Sequence, residues 1–389
     1  MQLPLLGAAV RHEWTLDPDF LTVNHGSFGA SPRVVLAVEE DWRRRMEMQP
    51  TRFMQAVLPD ALRAAADRLA RFMGAEGKDL AFLENATVGC NAVLRCRRLQ
   101  PGDEVLVLTH GYGAVRNTVR YVTELAGARM TEAAVPFPNP DADGVIAGLV
   151  AAITAHTRLA VLDHITSPSA LVLPVERMVA ACHERGVPVL VDGAHGPGQV
   201  GLDLPAIGAD WYVGNCHKWL CAPKGSAFIW AAPDRQEGLH PVTISHGYEK
   251  GFLEEFDWTG TRDFSAFLAV PAAIDFHARL GGEVLRTRNA ALAAEATALL
   301  ARRLNSEIGA TGSLAGAMGV VRLPIAGEIT AERAKTLRAR LLEAKTDAPL
   351  HVMAGSIWLR LSVHAYNEPA DYERLAEVVA HVLRNADES

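Results

Sequence analysis

Within Val189–Leu220 (VLVDGAHGPGQVGLDLPAIGADWYVGNCHKWL), an apolar run delivers Asp192 at its C-terminal end. A second short run, Trp211–Gly214, then delivers Asn215, His217 and Lys218, the lysine 26 positions beyond the aspartate (218 − 192). Strand ends of this kind are where α/β sheets bind their ligands. A solvated lysine rarely follows a buried strand, sits between His217 and Trp219 and precedes a Pro-Lys-Gly turn. Burial keeps a lysine amine nucleophilic, ready to form a Schiff base with an aldehyde. A carboxylate facing a pyridine nitrogen holds that nitrogen protonated, and the protonated ring is an electron sink for a carbanion. The two residues together point to pyridoxal 5'-phosphate chemistry.

Other constellations carry less. Gly196-Pro197-Gly198-Gln199-Val200-Gly201 spells G-x-G-x-x-G, yet Pro205 and the Leu-Asp-Leu-Pro run predict a loop where a dinucleotide fold needs a helix start. No G-x-x-x-x-G-K-[ST] and no G-x-S-x-G occurs. Cys216 and Cys221 have no second pair to complete a tetrahedral metal site, and Cys90 and Cys96 do no better. They read as small buried residues, and no metal is expected.

The elements that must position the pair follow from patterning. The chain has 389 residues, 49% hydrophobic and 21% charged, the balance of a folded globular protein with about two domains. Its net charge of -7 offers no field to nucleic acid, and no run is long enough to span a bilayer. Five cysteines and no signal-peptide pattern point to a cytoplasmic enzyme. Apolar runs at Glu104–Thr109, Leu159–His164, Val187–Asp192, Trp211–Gly214 and Ser226–Trp230 read as strands covered on both faces. Helical patterns at Gly113–Leu125 and Val175–Arg185 separate some of them, which predicts an α/β domain with a mainly parallel central sheet. A helix is expected from Pro32 to Met48, with Ser31 as its N-cap. Helices near Ser265–Leu280, Glu283–Leu304, Ala331–Ala344 and Ala370–Leu383 flank strands at Val320–Leu323 and Ser356–Val363. The expected division is a large domain over residues 24–262 and a smaller α+β domain from residues 1–23 and 263–389.

Further motifs fall in a fixed order: Val23–Gly29 (VNHGSFG), Glu84–Thr87 (ENAT), His110–Ala114 (HGYGA), Asp163–Pro168 (DHITSP), Asp192–His195 (DGAH), Asn215–Trp219 (NCHKW), Thr259–Thr261 (TGT) and Arg360. In this order they resemble the class V aminotransferase family of fold type I pyridoxal-phosphate enzymes, and within it the isopenicillin N epimerase-like branch. The resemblance spans nearly the whole chain. It implies Lys218 as the Schiff-base lysine, Asp192 as partner of the ring nitrogen and His195 as a contact of the ring hydroxyl. It implies Asn85, Ala86 and Thr87 as a phosphate cradle at a helix N-terminus, where free N–H groups favour an anion. Asn215 and His217 match further phosphate ligands, and Thr166 or Ser167 a contact to the ring oxygen. Thr261 matches a threonine that reaches the neighbouring subunit's phosphate, so a homodimer is implied. The ring-stacking aromatic comes from His110 or Tyr112. Arg360 matches the arginine that binds the substrate α-carboxylate, for which a planar fork is suited. Asn24, His25 and Ser27 are candidates for lining the substrate entrance.

The cofactor permits several reactions of an amino acid, and each needs its own extra part. Epimerisation needs Lys218 on one face of the α-carbon and a second acid/base on the other, with Tyr112, His110 and His25 as candidates. A C–S lyase needs only Lys218 and a substrate with a leaving group, and an aminotransferase needs room for a keto acid. The leading expectation is an epimerase-like enzyme acting at the α-carbon. Lyase and aminotransferase are the alternatives within the family, and a non-catalytic dimeric binding protein is the alternative outside it. Cysteine desulfurases of the family carry a nucleophilic cysteine on a loop that corresponds to Ala344–Trp358, where this chain has none. Sulfide release from L-cysteine is therefore expected to be slow. Mass spectrometry after exposure to L-cysteine is expected to find no persulfide on the protein, and its rapid appearance would refute this reading.

Overall fold

The computed structural model describes residues 6–387. Its larger sheet is built from β1 (Leu80–Leu83), β2 (Glu104–Leu108), β3 (Arg129–Ala133), β4 (Thr157–Asp163), β5 (Val189–Asp192), β6 (Trp211–Asn215) and β7 (Ala227–Ala231). Their order is β1-β7-β6-β5-β4-β2-β3, and only β7 runs against its neighbours. Alternate residues serve opposite faces, as a period of two dictates. Leu106, Leu108, Val189, Val191 and Tyr212 enter one core with α3 (Leu58–Phe72) and α7 (Val175–His183). Val105, Val107, Leu190, Trp211 and Val213 enter the other with α4 (Ala86–Arg95) and α5 (Gly113–Ala126). Burial on both faces explains why these strands read as continuous apolar runs.

A second sheet, ordered β8-β10-β9, comes from β8 (Met318–Arg322), β9 (Leu350–Met353) and β10 (Ser356–Ser362). The helices Glu283–Arg303, Ala331–Glu343 and Pro369–Asp387 cover one face of it. This is the layered α/β plus α+β architecture of fold type I. No described helix is long and apolar enough to cross a membrane.

Several expectations are corrected. Helix α2 (Arg33–Met48) has Pro32 at its N-cap, while the Ser31 hydroxyl donates to the Ala222 carbonyl at 2.9 Å. The single helix expected over 265–280 is two, Ser265–Leu268 and Val270–Arg279, because Pro271 has no N–H to continue the ladder. Residues 196–201 form turns, and the short helix after them, Leu204–Ile207, is capped by Asp203. Strands β1, β3 and β9 escaped the sequence. β1 is four residues long, and β3 and β9 are partly exposed edge strands without an apolar run. Phe264 to Leu285 packs into the large core, as do Val10 and Trp14. This packing crosses the boundary expected at 262/263.

Gly89 lets α4 lie directly on the sheet: a Cβ there would meet Val213 Cγ1 at 2.6 Å and Leu83 Cδ1 at 2.9 Å. Gly89→Ala is expected to cost about 1–3 kcal/mol through overpacking. Urea unfolding measures the loss, and an unchanged midpoint would deny the close approach.

Candidate active site

Chain order reverses direction across the sheet between β2 and β4, which opens a crevice at their C-terminal ends, the place where such sheets bind ligands. A cavity of about 400 Å³ lies there, lined by Ser27, Phe28, Asn85, Ala86, Thr87, Tyr112, Asp163, Ile165, Ser167, Asp192, Ala194, His195, Asn215, His217 and Lys218. Asp192 and Lys218, far apart in sequence, thus share one wall.

The Lys218 amine is buried, and burial together with the Arg360 charge lowers its pKa to about 8, against the pull of Asp192. Its Nζ lies 3.2 Å from His195 Nε2. The other ring nitrogen, Nδ1, faces Trp219 Nε1 at 3.2 Å. An indole N–H can only donate, so His195 accepts at Nδ1 and carries its proton on Nε2. That proton points at Lys218 Nζ, which can accept it only in the unprotonated form that the lowered pKa makes more accessible. Burial and the neighbouring Lys218 and Arg360 charges hold the His195 imidazole well below its usual range, so it stays neutral.

Asp192 and Asp163 end the adjacent parallel strands β5 and β4 in register. Asp192 accepts the Ala194 N–H at 3.0 Å. Burial pushes both carboxyls up, Asp163 further because Asp192 faces it. The pair therefore holds a proton, and Asp192, beside Lys218, is the member placed to ionise.

Helix α4 begins at the cavity. Asn85 Oδ1 accepts the Val88 N–H at 3.0 Å, and Asn215 Oδ1 accepts the Ala86 N–H at 2.9 Å. Among the described residues the Thr87 N–H has no partner, so the first turn retains a free donor toward the cavity. His217 lines the same end, with Nδ1 on the Ser226 carbonyl at 3.1 Å.

Arg360 lies just behind the lining on β10. Nη1 donates to the Ser167 carbonyl at 2.6 Å and hydroxyl at 3.1 Å, and Nη2 to Asn24 Oδ1 at 3.2 Å and Ser27 Oγ at 2.9 Å. Burial and Arg338 lower its pKa to about 10, which leaves it cationic at neutral pH. Among the described residues, none of its hydrogen bonds goes to an anion, and its buried Nε has no partner. A buried cation in this state calls for a carboxylate.

The remaining candidates separate. Tyr112 lines the cavity and is 44% exposed, whereas His110 lies outside it with Nδ1 on Ser169 Oγ at 2.8 Å and its ring edge-on to Phe137. Ser167 faces the cavity, but Thr166 turns away, its hydroxyl paired with Ser169 and accepting the Leu171 N–H. Thr261 is exposed and off the cavity, beside an ion pair between Arg262 and Glu84. Asn24 supports Arg360 instead of lining the entrance. His25 is buried beneath Lys218: Nε2–H donates to the Lys218 carbonyl at 3.0 Å, and Nδ1 accepts the Tyr366 hydroxyl at 2.9 Å. His25, Cys221 and His364 bring three potential metal-ligand atoms within 4.8 Å. The two imidazoles stack at 3.9 Å and 20°, so their in-plane lone pairs run nearly parallel and do not converge on a tetrahedral centre. This cluster is a hydrogen-bonded layer.

Sequence reasoning assigned no role to Asp163, Phe28 or Trp219. Asp163 carried the signal used for Asp192, an acid ending an apolar strand, whereas Phe28 and Trp219 gave none of their own.

A buried amine of lowered pKa, a carboxyl and a helix start with a free N–H share one cavity, and these groups fit the aldehyde, ring nitrogen and phosphate of pyridoxal phosphate. The protein is a pyridoxal-phosphate-dependent enzyme of fold type I. Residues 30–375 match the aminotransferase class V family, to which the chain belongs. It is similar to a probable chloroplastic L-cysteine desulfhydrase of Arabidopsis thaliana, 33% identical over 95% of this chain and 84% of that one. An isopenicillin N epimerase of Amycolatopsis lactamdurans is 35% identical over 97% and 98%. Among solved structures, the cystine C–S lyase C-DES in complex with cysteine persulfide aligns over 93% of this chain and 98% of its own, with a TM-score of 0.77 at 21% identity. A cysteine desulfurase of Thermococcus onnurineus aligns over 99% and 100%, with a TM-score of 0.81 at 15% identity.

Because the amine titrates at about 8, cofactor capture by the apoprotein is expected to rise with pH through that value. Arg360→Leu removes a repelling charge and should move the midpoint upward. Asp192→Asn removes an attracting one and should move it downward. Borohydride-fixed linkage followed against pH measures both, and shifts of opposite sign would refute this electrostatic account.

Proposed function

We propose that the enzyme removes the α-proton of a small α-amino acid with Lys218 as base and expels a β-substituent, in the manner of a C–S lyase. Bound pyridoxal phosphate supplies the sink for the electrons left at the α-carbon. The first turn of α4, with Asn215 and His217, holds its phosphate, and Asp192 keeps a proton on its ring nitrogen. Tyr112 is the aromatic that covers the ring, since His110 is tied outside the cavity. Arg360 binds the substrate carboxylate through its fork, and Ser27 and Ser167 hold that fork in place. Lys218 Nζ, beside His195 Nε2–H, takes the α-proton in its unprotonated form. With L-cysteine as substrate, the net change is cysteine and water to pyruvate, ammonia and sulfide.

The observation that carries the elimination reading is the cavity itself. About 400 Å³ must hold both cofactor and substrate, which suits a small amino acid. Similarity to the plant L-cysteine desulfhydrase supports the same reading. It revises the expectation of slow sulfide release, because elimination needs no nucleophilic cysteine. Epimerisation is the second reading. It is favoured by one observation: the Tyr112 side chain faces the cavity, and its hydroxyl has no partner among the described residues. We also propose a homodimer in which the exposed Thr261 reaches the partner's phosphate.

An amino-acid panel in heavy water tests the reaction. The expected result is α-deuteration with equal amounts of pyruvate, ammonia and sulfide from L-cysteine. Inversion without pyruvate would replace elimination with epimerisation. Lys218→Ala is expected to abolish both turnover and the borohydride-fixed linkage. Arg360→Ala should raise KM for amino acids about ten- to hundredfold, the worth of a charged hydrogen-bonded pair. Decarboxylated amines should be unaffected by it, and an equal loss for both would remove the clamp.

A further inference from the structure

The four-residue helix α1 (His25–Phe28) and its flanks touch both halves of the proposed chemistry. On one side, Asn24 and Ser27 accept from Arg360 Nη2 at 3.2 and 2.9 Å, and Ser27 Oγ donates to Asn24 Oδ1 at 2.7 Å. Asn24 Nδ2 in turn donates to Asp347 at 2.5 Å, and Asp347 pairs with Arg338 at 2.8 Å. On the other side, His25 Nε2–H donates to the Lys218 carbonyl at 3.0 Å. The Lys218 carbonyl can only accept, which puts the proton on Nε2 and leaves Nδ1 to accept the Tyr366 hydroxyl at 2.9 Å. The turn has no slack. Gly29 has φ +68°, and a Cβ there would stand 1.9 Å from the His217 carbonyl oxygen. At Gly26 a Cβ would meet Met318 at 2.7 Å and Ser362 Oγ at 3.0 Å.

Adjacent residues of one rigid turn therefore grip the carboxylate-binding arginine and the backbone of the catalytic lysine. We propose that His25 is a positioning residue: through α1 it fixes the Lys218 amine relative to the carboxylate held by Arg360. The proposal rests on the assignment of those two residues above. It gives Asn-His-Gly-Ser-Phe-Gly a mechanical meaning, since carboxylate and base must hold their separation for one proton of the α-carbon to be reached.

Two readouts test it, the rate at which apoprotein captures pyridoxal phosphate (as borohydride-fixed linkage) and α-deuterium exchange of L-cysteine. His25→Leu is expected to lower both capture and the kcat of exchange about ten- to hundredfold, with KM little changed. His25→Gln, which restores an N–H toward the Lys218 carbonyl, should recover most of the loss. Tyr366→Phe removes a single hydroxyl and should show the same signature more weakly, which serves if His25→Leu does not fold. Unchanged rates in the folded variants, or a raised KM with intact kcat, would overturn the positioning role. If the wild-type protein captures cofactor normally but exchanges no α-proton, the proposed function falls while the capture readout still tests His25.

Discussion

The chemistry proposed for this protein depends on an amine at Lys218 that gives up its proton more readily than a solvated lysine would. Water would keep that amine protonated, so the structure withdraws it from water and places Arg360 close enough to repel a further proton. His195 completes the arrangement, because with Trp219 donating to one ring nitrogen the other presents a proton to Nζ. A charged ammonium could not accept it. The indole thus acts on the lysine through the tautomer of the ring between them.

Arg360 is a buried cation with no anion among its described hydrogen-bond partners. Arg338 is answered by Asp347, but Arg360 makes its four hydrogen bonds to neutral oxygens and leaves Nε bare. Truncating one member of a buried ion pair typically costs several kcal/mol, because the other is left uncompensated. A fold that maintains an arginine in that condition bears a standing cost, which a carboxylate ligand relieves. Two chain segments far from β10, at Asn24–Ser27 and at Ser167, are recruited to hold the guanidinium while it has no anion. Substrate affinity and the instability of the empty site have one physical origin.

How much of this was legible in the sequence varies with the kind of signal. Buried strands announced themselves as apolar runs, and Asp192 and Lys218 stood out because charged residues ending such runs contradict their surroundings. Edge strands β3 and β9 lacked that contrast, since most of their residues are at least partly exposed. The site was harder at residues whose role lies in direction. Thr166 and Ser167 are neighbours of similar chemistry, and only the turn that pairs Thr166 with Ser169 decides which one faces the cavity. His110 and Tyr112 posed the same problem. His25 was misjudged for a related reason: a histidine on a glycine-rich loop resembles an exposed ligand, but this loop is pressed between both sheets.

The second carboxyl, Asp163, shows how the register of a sheet becomes electrochemistry. Parallel pairing sets it directly beside Asp192, with both side chains on one face. Two bare charges at that spacing in a dry interior would repel strongly, so the pair must keep a proton. Were Asp192 to pair with a protonated ring nitrogen, as proposed, that proton would belong with Asp163. A neutral neighbour leaves Asp192 its full charge for the ring, whereas an ionised one would raise the basicity of Asp192 and draw the proton off the nitrogen. An in-register acid at the end of β4 is compatible with an electron-sink cofactor only in its protonated form, and burial favours that form.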